Sequence, residues 1–236
     1  MKNDISLMFS GGIDSTYAAI KLTKDFNKIH LLTYSNGYGH FKTKRAKNRY
    51  LELKKRFPGK FSFNYFSVKD IFEKILINNL DNDSQKYSSG FIWCLGCKIT
   101  MHSKTIMFNK LKGIKFAADG SSHDTSEMVE QSPFAISLIS DFYKQYGIEF
   151  NAPVYRITRE EKRKKLADFG FNLGIKIMDR HIGIQPKCIP GELYYSPLLI
   201  MGRPPFHQTK EVYSFYREKL PILKEHINNE IKRSVE

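Results

Sequence analysis

Along this chain, apolar segments of strand length alternate with stretches whose apolar residues recur at helical spacing. Ile5-Ser6-Leu7-Met8-Phe9 predicts the first strand, and Tyr17-Ala18-Ala19-Ile20-Lys21-Leu22 the opening turns of a helix. Ile29-His30-Leu31-Leu32-Thr33-Tyr34 predicts a second strand, closed by the turn Ser35-Asn36-Gly37. A helix over 41–57 follows, then an alternating strand over 61–68 and a helix over 69–80. Residues 81–89 are polar and read as a flexible connection. Further on, 114–118 reads as a strand, 134–146 as a helix and 153–156 as a return toward the sheet. Thr158-Arg159-Glu160-Glu161 forms a capping box for a helix running to about residue 169. The segment 183–191 is rich in breakers, and 194–201 reads as a short strand or lid. Finally, 210–234 is amphipathic, with Val212, Phe215, Tyr216, Leu220, Leu223, Ile227 and Ile231 on one side and Pro221 bending it.

This alternation predicts an α/β fold with a doubly wound, mainly parallel sheet and a C-terminal helical extension. Neither a linker nor an internal repeat divides the 236 residues. One catalytic domain over 1–205 and a helical extension over 206–236 is the simplest organisation. The extension packs on the core or joins two subunits as a homodimer.

Between the first strand and the first helix lies Ser10-Gly11-Gly12-Ile13-Asp14-Ser15-Thr16. Glycines at such a turn let the backbone approach a ligand, so that N–H groups of the loop and helix start point at an anion. Ser10, Ser15 and Thr16 add hydroxyl donors, and Asp14 can cap the helix or help hold a magnesium ion (Mg2+) beside a triphosphate. The Lys that a Walker A loop places before its Ser/Thr is missing, so this is not an ordinary P-loop. The string resembles the SGGxDS signature of the ATP pyrophosphatases, the PP-loop superfamily, whose members transfer AMP to a carbonyl oxygen and release pyrophosphate. In a doubly wound sheet the nucleotide lies beyond the carboxyl ends of the strands. Thr33, Tyr34 and Ser35 are therefore expected to line the adenine site through their backbone. Asp119-Gly120 after the strand at 114–118 faces the same region, and His123 and Asp124 are either phosphate or metal contacts or loop caps.

The formal net charge of +14 favours a polyanionic partner and raises the expectation of RNA, although Lys-rich composition alone can produce it. Basic residues concentrate over 41–57, at Lys42, Lys44, Arg45, Lys47, Arg49, Lys54, Lys55 and Arg56, as a phosphate-tracking face or a merely solvated one. The apolar runs fall well short of a membrane span, and the N-terminus enters the first strand without a signal-peptide pattern. A cytoplasmic protein with no membrane partner is expected.

Three cysteines, an odd number, argue against a disulfide framework and for metal, cluster or sulfur chemistry. Cys94 and Cys97 form a C-x-x-C pair expected just before a helix, and Cys188 follows about ninety residues later. Three thiolates can hold three irons of a [4Fe–4S] cluster and leave one iron open for sulfide. Zinc, a catalytic thiol or persulfide without iron, and structural thiols are the alternatives. His102 is a candidate fourth ligand or a locally satisfied histidine, His181 beside Arg180 has the same two readings, and Lys187 could lower the Cys188 pKa if the two are close.

The spacing of loop, Cys94-Leu95-Gly96-Cys97-Lys98 and Cys188 is similar to that of the cluster-bearing tRNA thiolation enzymes for 2-thiouridine and 2-thiocytidine. Asp119-Gly120-Ser121-Ser122 resembles the Asp-Gly-Thr-Asn segment of the pyridinium dithiocarboxylate sulfurtransferases. The chain has too few cysteines for the zinc modules flanking some thiolases or for the four-cysteine site of the 7-cyano-7-deazaguanine synthases. The resemblance implies an ATP-dependent sulfurtransferase that adenylates a carbonyl oxygen, expected on a tRNA base. Ser10, Gly11, Gly12, Asp14, Ser15 and Thr16 would bind ATP, and Cys94, Cys97 and Cys188 would hold the cluster. The sulfur donor, whether sulfide, persulfide or a carrier protein, is open. Sulfur insertion into a small cofactor precursor, an ammonia-using ligase or amidotransferase of the same superfamily, and a non-enzymatic nucleotide-binding module are the alternatives.

Overall fold

The computed structural model describes residues 2–41, 44–87, 91–126, 128–173, 187–200 and 209–234. Lys42, Arg180 and His181, singled out above, lie outside them, as do residues 183–186 of the breaker-rich segment.

Strands β1 (Lys2–Met8), β2 (Phe26–Ser35), β4 (Phe61–Ser67), β5 (Phe116–Ala118) and β6 (Glu149–Asn151) form one parallel sheet in the order β4-β2-β1-β5-β6. The chain builds outward from β1 through β2 to β4, then crosses to the other side of β1 for β5 and β6. The order therefore reverses between β1 and β5, and a crevice opens beyond their carboxyl ends. A two-stranded antiparallel ribbon pairs β3 (His40–Phe41) with β7 (Lys187–Cys188).

Alternating strand residues feed two cores, as the period of two requires. Ile5 and Leu7 of β1 and Ile29 and Leu31 of β2 pack beneath α1 (Ile13–Leu22), α2 (Lys44–Arg56) and α7 (Arg159–Asp168). Met8, Leu32 and Tyr34 face the opposite layer, made by α3 (Lys69–Ile75), α5 (Phe91–Lys112), α6 (Pro133–Lys144) and α9 (Thr209–Arg233).

Several elements depart from the expectation drawn from the pattern. The polar stretch 81–89 is helical over α4 (Leu80–Tyr87), because Asp83 turns inward to a buried ion pair with Lys219 of α9 at 2.8 Å. Residues 194–200 do not form a strand but belong to α8 (Ile189–Ile200). The fifth sheet strand is Glu149–Asn151, earlier than the expected 153–156, where the chain turns instead. The C-x-x-C pair lies inside the first turns of α5 rather than ahead of it. The basic helix begins at Lys44, since His40 and Phe41 are drawn into the ribbon.

The terminal helix α9 packs on α5, with Phe215 and Leu223 fully buried. Phe215→Ala should therefore cost about 3–5 kcal/mol in urea unfolding. A loss within experimental error would mean that α9 is not part of the core.

His102 of α5 is buried against Tyr143 Oη at 3.0 Å and the Phe150 ring. Burial, joined by the Lys98 ammonium and opposed by Asp119, pushes its pKa down to about 3. The folded protein holds this ring neutral while the unfolded chain protonates it near its ordinary value, about 6.5. That contribution to stability is intact above pH 6.5 and is lost progressively as pH falls toward 3. His102→Gln should flatten the decline in unfolding free energy between pH 6.5 and 4, measured by urea titration. Parallel curves for the two proteins would refute the assignment.

Candidate functional site

The loop after β1 is held by its own short hydrogen bonds. Gly12 N donates to Ser10 Oγ (3.2 Å), Thr16 N donates to Gly12 O (3.0 Å), and the Ser10 and Ser15 hydroxyls pair at 3.1 Å. Gly11 has φ +76°, and a Cβ there would lie 2.8 Å from Ala46 Cα, so only glycine fits. Gly12 caps α1 without a side chain, the arrangement in which helix amides serve an anion. Thr16 Oγ1 is buried without a hydrogen-bond partner among the described residues.

Asp14 opens α1 and meets Lys162 of α7. The Lys162 ammonium, fully buried, donates to Asp14 Oδ1 and Ser122 Oγ, both at 2.6 Å. This places a lysine at the loop by tertiary contact, where a Walker A motif would place one in sequence. Lys162 was not foreseen. It stands among Lys162, Arg163, Lys164 and Lys165, and only the capping box, realised as Glu161 N donating to Thr158 Oγ1, fixes which of them faces inward. Asp124 accepts from Arg159 N, joining the segment after β5 to the same helix start, and His123 stacks edge-on against Tyr155.

At the end of β5, a Cβ on Gly120 would lie 2.7 Å from Ser15 N, so β5 and the loop meet backbone to backbone. Asp119 is buried and pairs with Lys98 Nζ at 2.7 Å while accepting from Ser121 N and Oγ. Burial pushes its carboxyl up, but the Lys98 charge and the hydrogen bonds from Lys98 and Ser121 outweigh that and hold it below the ordinary value. Of the expected adenine-lining residues, Thr33 donates its hydroxyl to Phe9 O at 2.6 Å and so braces the loop. The Tyr34 side chain points into the core, bonded to Thr105 Oγ1 at 2.8 Å. Ser35 accepts from Val68 N through its carbonyl and from Gly37 N through its hydroxyl.

The cysteines come together from two elements, α5 and β7. Cys94 and Cys97 lie on α5, Cys188 is paired with His40 across the ribbon, and Ile189 N donates to Gly39 O at 3.0 Å. A Cβ on Gly191 would sit 3.6 Å from Cys94 Sγ and 3.8 Å from Cys188 Sγ. Cys97 Sγ accepts from Asn36 Nδ2 at 3.2 Å and lies 3.5 Å from His40 Nε2. None of the three cysteines is in a disulfide. Burial raises the Cys94 and Cys97 pKa values above the usual thiol range, reinforced by Glu130 and the neighbouring sulfurs. Glu130 is itself pushed up by burial and accepts from Tyr195 Oη at 3.2 Å. Asn36, His40, Glu130 and Tyr195 were missed in sequence, because none belongs to a motif. His102, in contrast, is a core residue bonded to Tyr143 and not a partner of the thiols. Among the described residues no three His, Cys, Asp or Glu side chains form a group arranged to hold a metal ion, and no helix is long and apolar enough to cross a membrane.

No family model matches the sequence, and no curated protein does. Solved structures do. The chain is similar to a 4-thiouridine synthetase in complex with RNA and bound ATP, with TM-score 0.54 and 15% identity over 95% of this chain and 53% of that one. It is more weakly similar to the U34-tRNA thiolase NcsA from Methanococcus maripaludis with its [4Fe-4S] cluster, with TM-score 0.47 and 15% identity over 94% and 72% of the two chains. A protein described as a predicted subunit of tRNA methyltransferase from Methanocaldococcus jannaschii gives TM-score 0.49 and 20% identity over 88% and 95%. The chain spans about half the length of the 4-thiouridine synthetase, and at this identity the likeness is one of fold. The chain has the fold of the 4-thiouridine synthetase, with Ser10 to Thr16 on the turn after β1.

Proposed function

We propose that the protein is an ATP-dependent sulfurtransferase acting on a carbonyl oxygen of a tRNA base. One observation carries this reading. Lys98 follows Cys97 on α5 and pairs with Asp119, whose neighbour Gly120 abuts Ser15 of the loop, so the thiols and the phosphate loop share one continuous wall. An activating site and a sulfur site are thereby within reach of one substrate.

In this reading the amides at the start of α1 and the hydroxyls of Ser10, Ser15 and Thr16 receive the β- and γ-phosphates of ATP. The buried Thr16 hydroxyl is one donor such a ligand would satisfy. Asp14 would hold Mg2+, with Lys162 fixing the carboxylate and adding positive charge. The backbone at 33–35 borders the adenine. The substrate carbonyl oxygen attacks the α-phosphorus, the bond to the β-phosphate oxygen breaks, and pyrophosphate leaves. A sulfur nucleophile then attacks the activated carbon, whose C–O bond breaks to release AMP. Protein groups contribute position and charge stabilisation.

Cys94, Cys97 and Cys188 suit a [4Fe–4S] cluster in donor chemistry: none is in a disulfide, and Cys94 Sγ and Cys188 Sγ border the space beside Gly191, which a side chain there would narrow. When bound, the cluster supplies an iron without a protein ligand at which sulfide can be held. Asn36 donates to Cys97 and orients it. The substrate reading rests on the charge of +14 and on exposed Lys44, Lys47, Lys54 and Lys55 along α2, which suit a phosphate backbone. The 1–205 catalytic unit, the 206–236 extension and a cytoplasmic setting belong to the same reading.

Asp14→Ala should lower pyrophosphate release with ATP and tRNA about a hundredfold or more while leaving iron and sulfide content unchanged. Turnover at the parent rate would reject the phosphate site. Cys188→Ala should retain ATP binding and lose thiolated product, scored by mass analysis of digested tRNA after anaerobic reaction. Undiminished product would remove Cys188 from the mechanism.

A further inference from the structure

A cavity of about 330 Å³ adjoins the loop and is lined by Gly11, Arg45, Asn48, Arg49, Glu52 and Asn172. Its charges are unequally engaged. Arg49 donates to Glu52 Oε2 at 2.6 Å and to Asn172 O at 3.0 Å, and its guanidinium lies over the Phe171 ring at 5.2 Å. Glu52 is thereby neutralised, and Arg49 is fixed as part of the wall. Arg45 is different: its Nη1 is buried and has no hydrogen-bond partner among the described residues. A buried guanidinium nitrogen left unpaired is unfavourable, and native structures seldom keep one without a ligand or water to satisfy it. The backbone fixes where this cation stands, because Gly11 of the loop packs directly on Ala46, with Arg45 O 3.4 Å from where a Gly11 Cβ would be. The first turn of α2 carries no acidic residue to compete for it.

We infer that this cavity is an oxyanion site in which Arg45 binds a phosphate group, that of the terminal phosphates of ATP and of the departing pyrophosphate or that of an RNA backbone. A guanidinium offers paired N–H donors matched to phosphate oxygens, and the shared Gly11 makes the cavity continuous with the loop. This inference rests on the reading of Ser10 to Thr16 as a triphosphate site.

The test uses the full chain with Arg45→Gln, Arg45→Lys and Asn48→Asp, the last adding a carboxylate to the cavity at an exposed position. Magnesium pyrophosphate, ATP and tRNA binding are measured by calorimetry, with thermal melting to show that each variant is folded. Arg45→Gln should weaken one phosphate ligand about ten- to a hundredfold. Asn48→Asp should weaken the same ligand, and Arg45→Lys should recover part of the loss. Weakened pyrophosphate and ATP with unchanged tRNA identify the nucleotide phosphates; weakened tRNA alone identifies the RNA backbone. If folded Arg45→Gln and Asn48→Asp bind all three as the parent does, the oxyanion site is overturned while the loop reading stands. If the parent chain binds neither ATP nor pyrophosphate, both fall.

Discussion

The constraint on which the site depends is the contact between two backbones at the crossing point of the sheet. Gly120 approaches Ser15 so closely that any side chain at 120 would meet the main chain of the loop. Only with β5 drawn in that far does Asp119 stand where Lys98 of α5 can pair with it, and only then does Ser122 stand where Lys162 of α7 can reach it. The loop after β1, the segment after β5 and two helices on opposite faces of the sheet are thus fixed relative to one another by one missing Cβ.

Two lysine ammonium groups, Lys162 fully buried and Lys98 half-buried, complete this arrangement, and their value is positional. A buried ion pair gains little net stability over well-packed apolar groups, whereas removing one partner leaves a costly unpaired charge. Lys162 with Asp14, and Lys98 with Asp119, are therefore weak as sources of stability and strong as determinants of where the carboxylates point. Each lysine approaches from a different face of the sheet, so α5 and α7 share in setting the charge of one crevice.

What could be read in the sequence follows from the range of each signal. The strands before and after the loop, the Thr158 cap and the amphipathic face of α9 are local patterns, and they appear as expected. The departures are tertiary in cause. The polar run at 81–87 is helical because Asp83 finds Lys219 far along the chain, and Phe41 leaves the basic helix because it pairs with Lys187 in the ribbon. Within the site, Ser10 to Thr16 and the three cysteines were visible through spacing. Lys162, Asn36 and Tyr195 were not, since each acquires its place only when distant elements pack.

The burial of the thiols bears on which sulfur chemistry they can perform. A thiol acts as a nucleophile through its thiolate, and a reactive cysteine ordinarily owes its thiolate to a nearby positive charge. Here burial and the neighbouring acidic groups drive Cys94 and Cys97 the other way, and the hydrogen bonds from Tyr195 and Asn36 offset this only in part. Lys98 offers Cys97 some positive charge, but it is engaged by Asp119. Left to themselves, these two thiols remain protonated near neutral pH and attack poorly. Iron ligation reverses that balance by bringing compensating positive charge to the sulfurs. Under the proposed function, the same desolvation that argues against a free catalytic thiol favours Cys94 and Cys97 as ligands.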